Sequence, residues 1–315
     1  MEMNYYPVII PTLNRLVHFK RCVESLSKNT HANKTELVIG LDYPPSEKYV
    51  EGYKKVKEYI STISGFRKIT VFERTENYGA ERNFAELKKY AFEHYDALIC
   101  SEDDNEFSPC FLDFMNKMLE HYKNDDRIVS VSAYLPFDYV DLTQSDIIFT
   151  KEVNAWGMGL WKKKEESNVL TIENAVKIAK SFSASFKCCF SYPASFRMLL
   201  AMISNRDLWG DVIRTNMNIV NGQYQVRPSL SLCRNLGQDG SGLHCGIDER
   251  YKHQEISLNT VYTVANWNFY YSNKLRKLEF NHLLPTTFLR KVRFFVALAI
   301  NYFLLRSHLH NSKKK

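Results

Sequence analysis

Five short apolar runs, each followed or preceded by a helical stripe, constrain this chain more than any other feature. Val8-Ile9-Ile10, closed by Pro11, reads as a buried strand. Leu16, Phe19, Val23 and Leu26 then recur at spacings of three and four, the mark of one helix face. Leu37 to Leu41 is a second strand, ended by Asp42 and Pro44-Pro45, and Tyr49, Tyr53, Val56, Ile60 and Ile63 form the next stripe. Ile69 to Phe72 is a third strand, with a turn at Gly79 and a helix bearing Phe84, Leu87 and Ala91. Ala97 to Cys100 is a fourth, running into Glu102-Asp103-Asp104; Phe111, Phe114, Met118 and Tyr122 mark a helix, and Ile128 to Val131 a fifth strand. Such alternation predicts an α/β fold, a mostly parallel sheet flanked by helices. Ligands of open parallel sheets bind beyond the carboxyl ends of the strands. Four places are thereby selected: after Ile10, after Leu41, around Gly79 and after Cys100.

The alternation fades near residue 135, and no linker-like stretch follows. The expected organisation is a first half over 1–135, a second half of the same domain over 136–265, and a helical, basic tail over 266–315. The net charge of +7, from 42 basic and 35 acidic residues, is too mild to point to nucleic acid. Seven cysteines without a C-x-x-C pair fit a reducing compartment, and the first residues lack the basic and apolar regions of a signal peptide. A cytoplasmic protein is expected.

Ser101-Glu102-Asp103-Asp104 places carboxylates at the ligand edge of the sheet, where their repulsion calls for a cation. Oxygen-only ligands suit Mg2+ or Mn2+. The alternative is an acidic turn capping a helix near Pro109, with Glu106 and Ser108 at its start.

These motifs together resemble a GT-A (Rossmann-like) nucleotide-sugar glycosyltransferase of the broad family 2 kind. The resemblance rests on Pro11-Thr12-Leu13-Asn14-Arg15 after the first strand, Asp42 after the second and Asn77-Tyr78-Gly79-Ala80-Glu81-Arg82-Asn83 before the third helix. Glu102-Asp103-Asp104, with Pro109 to Phe114 downstream, is similar to the metal motif of animal N-acetylglucosaminyltransferase I. Trp156 to Trp161, Arg227 to Ser231 and Arg234 to Cys245 resemble elements of bacterial polysaccharide sugar transferases. The resemblance implies that Thr12, Asn14, Arg15, Asp42, Asn77, Gly79, Arg82 and Asp103 bind a nucleotide sugar, a UDP-sugar such as UDP-GlcNAc. It implies Asp104 as metal ligand, with His244 completing the metal or diphosphate site, and an inverting reaction. The general base of that reaction is Asp207, two residues before Trp209 as in the N-acetylglucosaminyltransferase I pattern; Asp211 and Asp239 are the alternatives. Trp156, Gly157 and Trp161 are candidates for an acceptor-binding loop, since an aromatic face suits the C–H side of a pyranose.

From Arg290 onward, cations flank an apolar stretch from Phe294 to Leu305, which at about 18 Å of helix is too short to cross a bilayer. A C-terminal amphipathic helix on an anionic membrane is expected, or else one docked on the domain. The expected partners are thus a nucleotide-sugar donor, a glycan or lipid-linked acceptor and the inner face of the membrane, in surface polysaccharide or lipopolysaccharide synthesis. Two alternatives stand beside this: a sugar nucleotidyltransferase, disfavoured because Pro11 to Arg15 has no glycine, and a non-catalytic scaffold.

Overall fold

The computed structural model describes residues 4–136, 146–241, 246–269 and 271–311. In chain order the elements are β1 (Val8–Thr12), α1 (Leu16–Ser27), β2 (Glu36–Leu41), α2 (Val50–Ile60), β3 (Lys68–Glu73), α3 (Gly79–His94) and β4 (Ala97–Cys100). There follow β5 (Asn105–Phe107), α4 (Phe111–His121), β6 (Ile128–Ser132), β7 (Ile147–Thr150), β8 (Met158–Trp161), α5 (Lys162–Ser167), α6 (Ile172–Lys180) and α7 (Phe182–Ser191). The chain continues with α8 (Pro193–Asn205), α9 (Gly210–Asn221), β9 (Tyr224–Pro228), β10 (Cys233–Asn235), α10 (Glu249–Lys252), α11 (Asn273–Asn281) and α12 (Phe288–Asn311).

Among the described residues an eight-stranded sheet has the order β3-β2-β1-β4-β8-β6-β9-β7. The β3-β2-β1-β4 half is parallel, as the apolar runs foretell, while β8 inserts antiparallel to both β4 and β6. Strand β1 does not stop at Pro11 but runs on to Thr12, whose carbonyl accepts from Asp42 N–H at 2.9 Å. Proline is tolerated because β4 pairs only with Val8 and Ile9 before turning away, so the missing N–H breaks no ladder bond. Residues 105–107, which include the Glu106 that the alternative reading put at a helix start, pair antiparallel with β10. That pairing carries residues 233–235 back to the end of β4 from a distant part of the sequence, which local pattern does not reveal.

The chain packs as two compact units. Its first compact unit comprises residues 1–148, 154–165 and 226–267; its second comprises 149–153, 166–225 and 268–315. The boundary falls within β7, α5 and β9. In the second unit, α6 to α9 and α12 share a core built from residues such as Cys188, Leu199, Met202, Ile213 and Leu298. Glu279 is buried there and accepts from the backbone N–H of Glu152 at 3.0 Å and from the Tyr271 hydroxyl. Burial raises its pKa.

Two charged groups stitch the first unit. Lys164, buried, donates through Nζ to the carbonyls of Tyr122 at 2.8 Å, Asp125 at 2.9 Å and Ile128 at 2.6 Å, and lies 3.9 Å from the Trp161 ring centroid. It thus ties α5 to the segment joining α4 to β6. At the start of β2, Glu36 is buried and accepts from the hydroxyls of Thr70 at 2.5 Å, Tyr95 at 2.6 Å and Tyr90 at 3.1 Å, with Lys68 Nζ at 3.0 Å. Burial alone would raise its pKa, but these donors outweigh it and hold the carboxyl at about 2. Glu36 therefore stabilises the fold fully above the unfolded carboxylate pKa, and that contribution is lost as the pH falls toward about 2. Acid titration followed by circular dichroism should show a shallower loss of stability between those limits in Glu36→Gln than in the parent. Lys164→Met should cost about 3 kcal/mol in urea unfolding, because three inward carbonyls lose their donor.

Candidate functional site

At the carboxyl end of β4 the backbone leaves the sheet, and Ser101 N–H makes the last bond to β1, to the Ile9 carbonyl at 3.0 Å. Asp103 and Asp104 follow, and both are buried. Two like charges about 4 Å apart cost on the order of 4 kcal/mol at an effective dielectric constant of 20. The compensating charge comes from Arg15, just ahead of α1: its Nη2 donates to Asp103 Oδ1 and, at 2.8 Å, to Asp104 Oδ2. The two carboxylates hold the guanidinium pKa up against burial. Burial, with the charge of Asp104, pushes the Asp103 carboxyl up despite Arg15. Thr12 Oγ1 donates to Asp103 Oδ2 at 3.1 Å.

Asn235 completes this cluster. Its Nδ2 donates to Asp104 Oδ1 at 2.6 Å, while its Oδ1 accepts from Gly237 N–H at 2.9 Å. The Leu236 N–H donates to the Asp104 carbonyl at 2.8 Å, closing the loop onto the acidic turn. A side chain at 237 would displace the carboxylate, since a Cβ there would stand 2.0 Å from Asp104 Oδ2. Sequence reasoning did not single out Asn235, since its role exists only because β10 pairs with β5.

A second group of side chains gathers at the ends of β2 and β3. Asp42 Oδ1 accepts from the N–H groups of Tyr43 at 2.9 Å and Tyr78 at 2.8 Å, and Asn77 Nδ2 approaches Oδ2 at 3.3 Å and the Tyr43 carbonyl at 2.6 Å. Asp42 thereby pins the turn that opens α3, where Gly79 takes a φ of +72°. The Arg82 guanidinium lies 3.5 Å from the Tyr78 ring centroid and pairs with Glu76 at 3.0 Å. Arg74, the residue directly after β3, lies 4.8 Å from the same centroid. Its Nε donates to Asn83 Oδ1 at 3.0 Å, while Nη2 is buried with no hydrogen-bond partner among the described residues. A buried donor left unmade is costly, so this nitrogen is a natural place for an acceptor group of a ligand. Arg74 was missed by the sequence reading; its position immediately beyond a parallel strand was the available signal.

The remaining candidates are dispersed. Asn14 lies in the β1–α1 connection, its carbonyl packed against Gly52. Asp239 sits two residues beyond Gly237, paired with His18 Nε2 at 3.1 Å and accepting from Ser241 N–H at 2.9 Å. The Ser241 bond, together with His18, lowers its pKa. Asp207 and Asp211 belong to the second unit, both exposed, the first in the α8–α9 connection and the second in the first turn of α9. Trp156 is half-buried, edge-on to Tyr134 and Tyr251 at 4.7 and 5.3 Å. Trp161, expected in an acceptor loop, lies instead within β8, buried, its indole N–H bonded to the Leu119 carbonyl at 2.9 Å. That bond and the Lys164 ammonium over its ring make it a packing residue. Gly157 is likewise a packing position, since a Cβ would meet Phe111 at 2.9 Å and Ala133 at 3.0 Å. His244 lies outside the described residues.

The acidic edge has the donor chemistry for a hard divalent cation. Asp103 and Asp104 offer only oxygens, and Arg15 balances one of their two charges. Among the described residues no three His, Cys, Asp or Glu side chains converge as a metal cage. The carboxylates therefore suit an ion such as Mg2+ or Mn2+, which needs one or two protein carboxylates and takes the rest of its shell from phosphates and water.

Comparison with known proteins gives the family. Residues 8–188 match the model described as Glycosyl transferase family 2. No curated protein matches the chain. Among solved structures, the chain is similar to TarS 1-349 of S. aureus, with 12% identity over 53% of this chain and 50% of that one, at a TM-score of 0.38. It is also similar to TarS 1-349 in complex with UDP-GlcNAc, with 13% identity over 53% and 49%, at a TM-score of 0.39. A third similar structure is the mannosyltransferase PcManGT of Pyrobaculum calidifontis in complex with GDP-Man and Mn2+, with 13% identity over 70% of each chain, at a TM-score of 0.41. The chain spans about half the length of the TarS fragment it matches.

Gly237→Ala should leave secondary structure intact yet lower the melting temperature by about 4–8 °C or more, because the new methyl group displaces Asp104. Gly222→Ala, at a glycine with nothing within 4 Å of a Cβ but a φ of +70°, should fall by less and serves as the comparison in the same thermal scan.

Proposed function

The chain belongs to glycosyl transferase family 2, and from that premise we propose that it moves a sugar from a nucleotide-diphosphate donor, a UDP-sugar, to a hydroxyl of a glycan or lipid-linked acceptor with inversion. The observation that carries this reading is the buried Asp103–Asp104 pair, which Arg15 neutralises by half at the ligand edge of a parallel sheet. Beside it, Thr12, Asp42, Arg74 and the Tyr78–Arg82 stack supply donors and a flat face suited to a base, a ribose and a diphosphate. The second reading from sequence, a nucleotidyltransferase, is set aside by family membership.

Asp104 and Asp103 would hold the divalent cation, which supplies electrostatic stabilisation to the departing diphosphate when bound. Arg15, bonded to both carboxylates, would share them with the ion and offer its remaining N–H groups to the donor phosphates. Arg74 Nη2 offers a hydrogen bond to the nucleotide, held in place by Asn83. The acceptor hydroxyl must lose a proton to a carboxylate. Of the three candidates, Asp239 is the one in the unit that contains Asp104, two residues beyond the glycine packed on it. We therefore assign the base to Asp239 ahead of Asp207 and Asp211. Among the described residues no helix is long and apolar enough to cross a membrane. Contact with lipid-linked acceptors at the cytoplasmic face would therefore be peripheral, as part of surface polysaccharide synthesis.

A thermal-shift screen of nucleotide sugars with and without Mn2+ tests this reading. A UDP-sugar should raise the melting temperature only with the metal, and Asp104→Asn should remove that response. A response to GDP-mannose alone would overturn the donor assignment. Asp239→Asn should retain the shift while lowering kcat by about 10²–10⁴-fold; the same result in Asp207→Asn instead would move the base to the second unit.

A further inference from the structure

The outer face of α12 is the most unusual surface of the second unit. The helix runs for 24 residues, about 36 Å, twice the apolar stretch read from the sequence. One side is docked: Phe294, Leu298 and Tyr302 are buried in the unit's core, with Phe196 6.0 Å from Tyr302 between ring centroids. At 100° per residue, Leu289, Val292, Val296, Ile300 and Phe303 form a second stripe on roughly the opposite side. These side chains are open to solvent, Val296 at 53%, Ile300 at 52% and Phe303 at 62%. A docked surface helix carries polar residues on its outer face; one that is apolar on both sides requires a second apolar environment.

Charge identifies that environment. The helix contains Arg290, Lys291, Arg293 and Arg306 and not one Asp or Glu. Three of those cations lie in its first two turns, where the helix dipole is itself positive, so they work against the helix that bears them. Lys291 donates to Asn281 Oδ1 at 3.2 Å at the end of α11, whereas Arg290 and Arg293 are exposed, where an external anion would offset that cost. The sequence beyond the described residues adds Lys313, Lys314 and Lys315.

We propose that the outer face of α12 lies in the interfacial layer of an anionic bilayer, with Val296, Ile300 and Phe303 in the acyl boundary and Arg290 and Arg293 at lipid phosphates. This rests on the peripheral membrane reading above and specifies the surface that makes the contact. The full chain is to be sedimented with vesicles of phosphatidylcholine alone and of phosphatidylcholine with phosphatidylglycerol. The wild type should bind the anionic vesicles and not the neutral ones. A combined Val296→Ser, Ile300→Ser, Phe303→Ser variant should lose roughly tenfold or more in affinity. A combined Arg290→Gln, Arg293→Gln variant should lose roughly thirtyfold, with salt dependence reduced. Both sets alter exposed or partly exposed positions, and unchanged circular dichroism and donor-induced thermal shift would show that fold and donor site survive. Failure of the donor shift in wild type would count against the proposed reaction and leave vesicle binding to be read by itself. Equal binding to both vesicle types, wild-type binding by the apolar variant, or a wild-type dimer that this variant dissociates would each overturn the proposal.

Discussion

Two adjacent buried carboxylates at the end of β4 are the constraint around which the first unit is arranged. Asp103 and Asp104 cannot both remain ionised in a desolvated place without a cation, and Arg15 provides it from the start of α1. That one guanidinium fixes how β1 hands over to α1, and Thr12 adds the neighbouring hydroxyl. Half of the acidic charge stays uncompensated, which makes the edge receptive to a further positive ion. The pair sits at the strand ends, where ligands of parallel sheets bind.

Elements remote in sequence complete the edge. The β10–β5 pairing returns Asn235 and Gly237 to Asp104, and the absence of a side chain at 237 leaves the carboxylate its room. Asp42 acts by orientation, since its hydrogen bonds hold the turn carrying Tyr78, onto which Arg74 and Arg82 pack. A nucleotide approaching this edge would meet groups already fixed by their neighbours, which lowers the ordering cost of binding.

The second unit follows a different logic. It is helical, held by a core of its own, and its buried Glu279 ties residues 151 and 152 to α11. Its last helix satisfies that core with one side and leaves an equally apolar side open. In the membrane contact proposed above, Arg290 and Arg293 at the helix start would meet lipid phosphates, so one element would serve both the core and attachment.

Apart from β5, the order of strands and helices through Ser132 was legible in the sequence because buried parallel strands are continuous apolar runs and their covering helices repeat at three and four. The same local pattern marked Thr12, Arg15, Asp42 and the acidic turn, since a strand's end is visible without knowing its neighbours. It could not assign Trp161, whose burial depends on β8 inserting between β4 and β6, nor foresee Asn235, whose partner lies 131 residues away. Arg74 needed the packing of Asn83 to show that one of its nitrogens is left without an acceptor. The division of the chain was equally hidden, because short excursions at 149–153 and 268–315 join a unit whose main part lies between. Sequence by itself determined the layered α/β scaffold and the edge where chemistry belongs, because periodicity and strand ends are local properties. Tertiary structure alone decided which side chains meet at that edge and which aromatic residues are merely packed, because those depend on pairings that loop closure brings about over long stretches of chain.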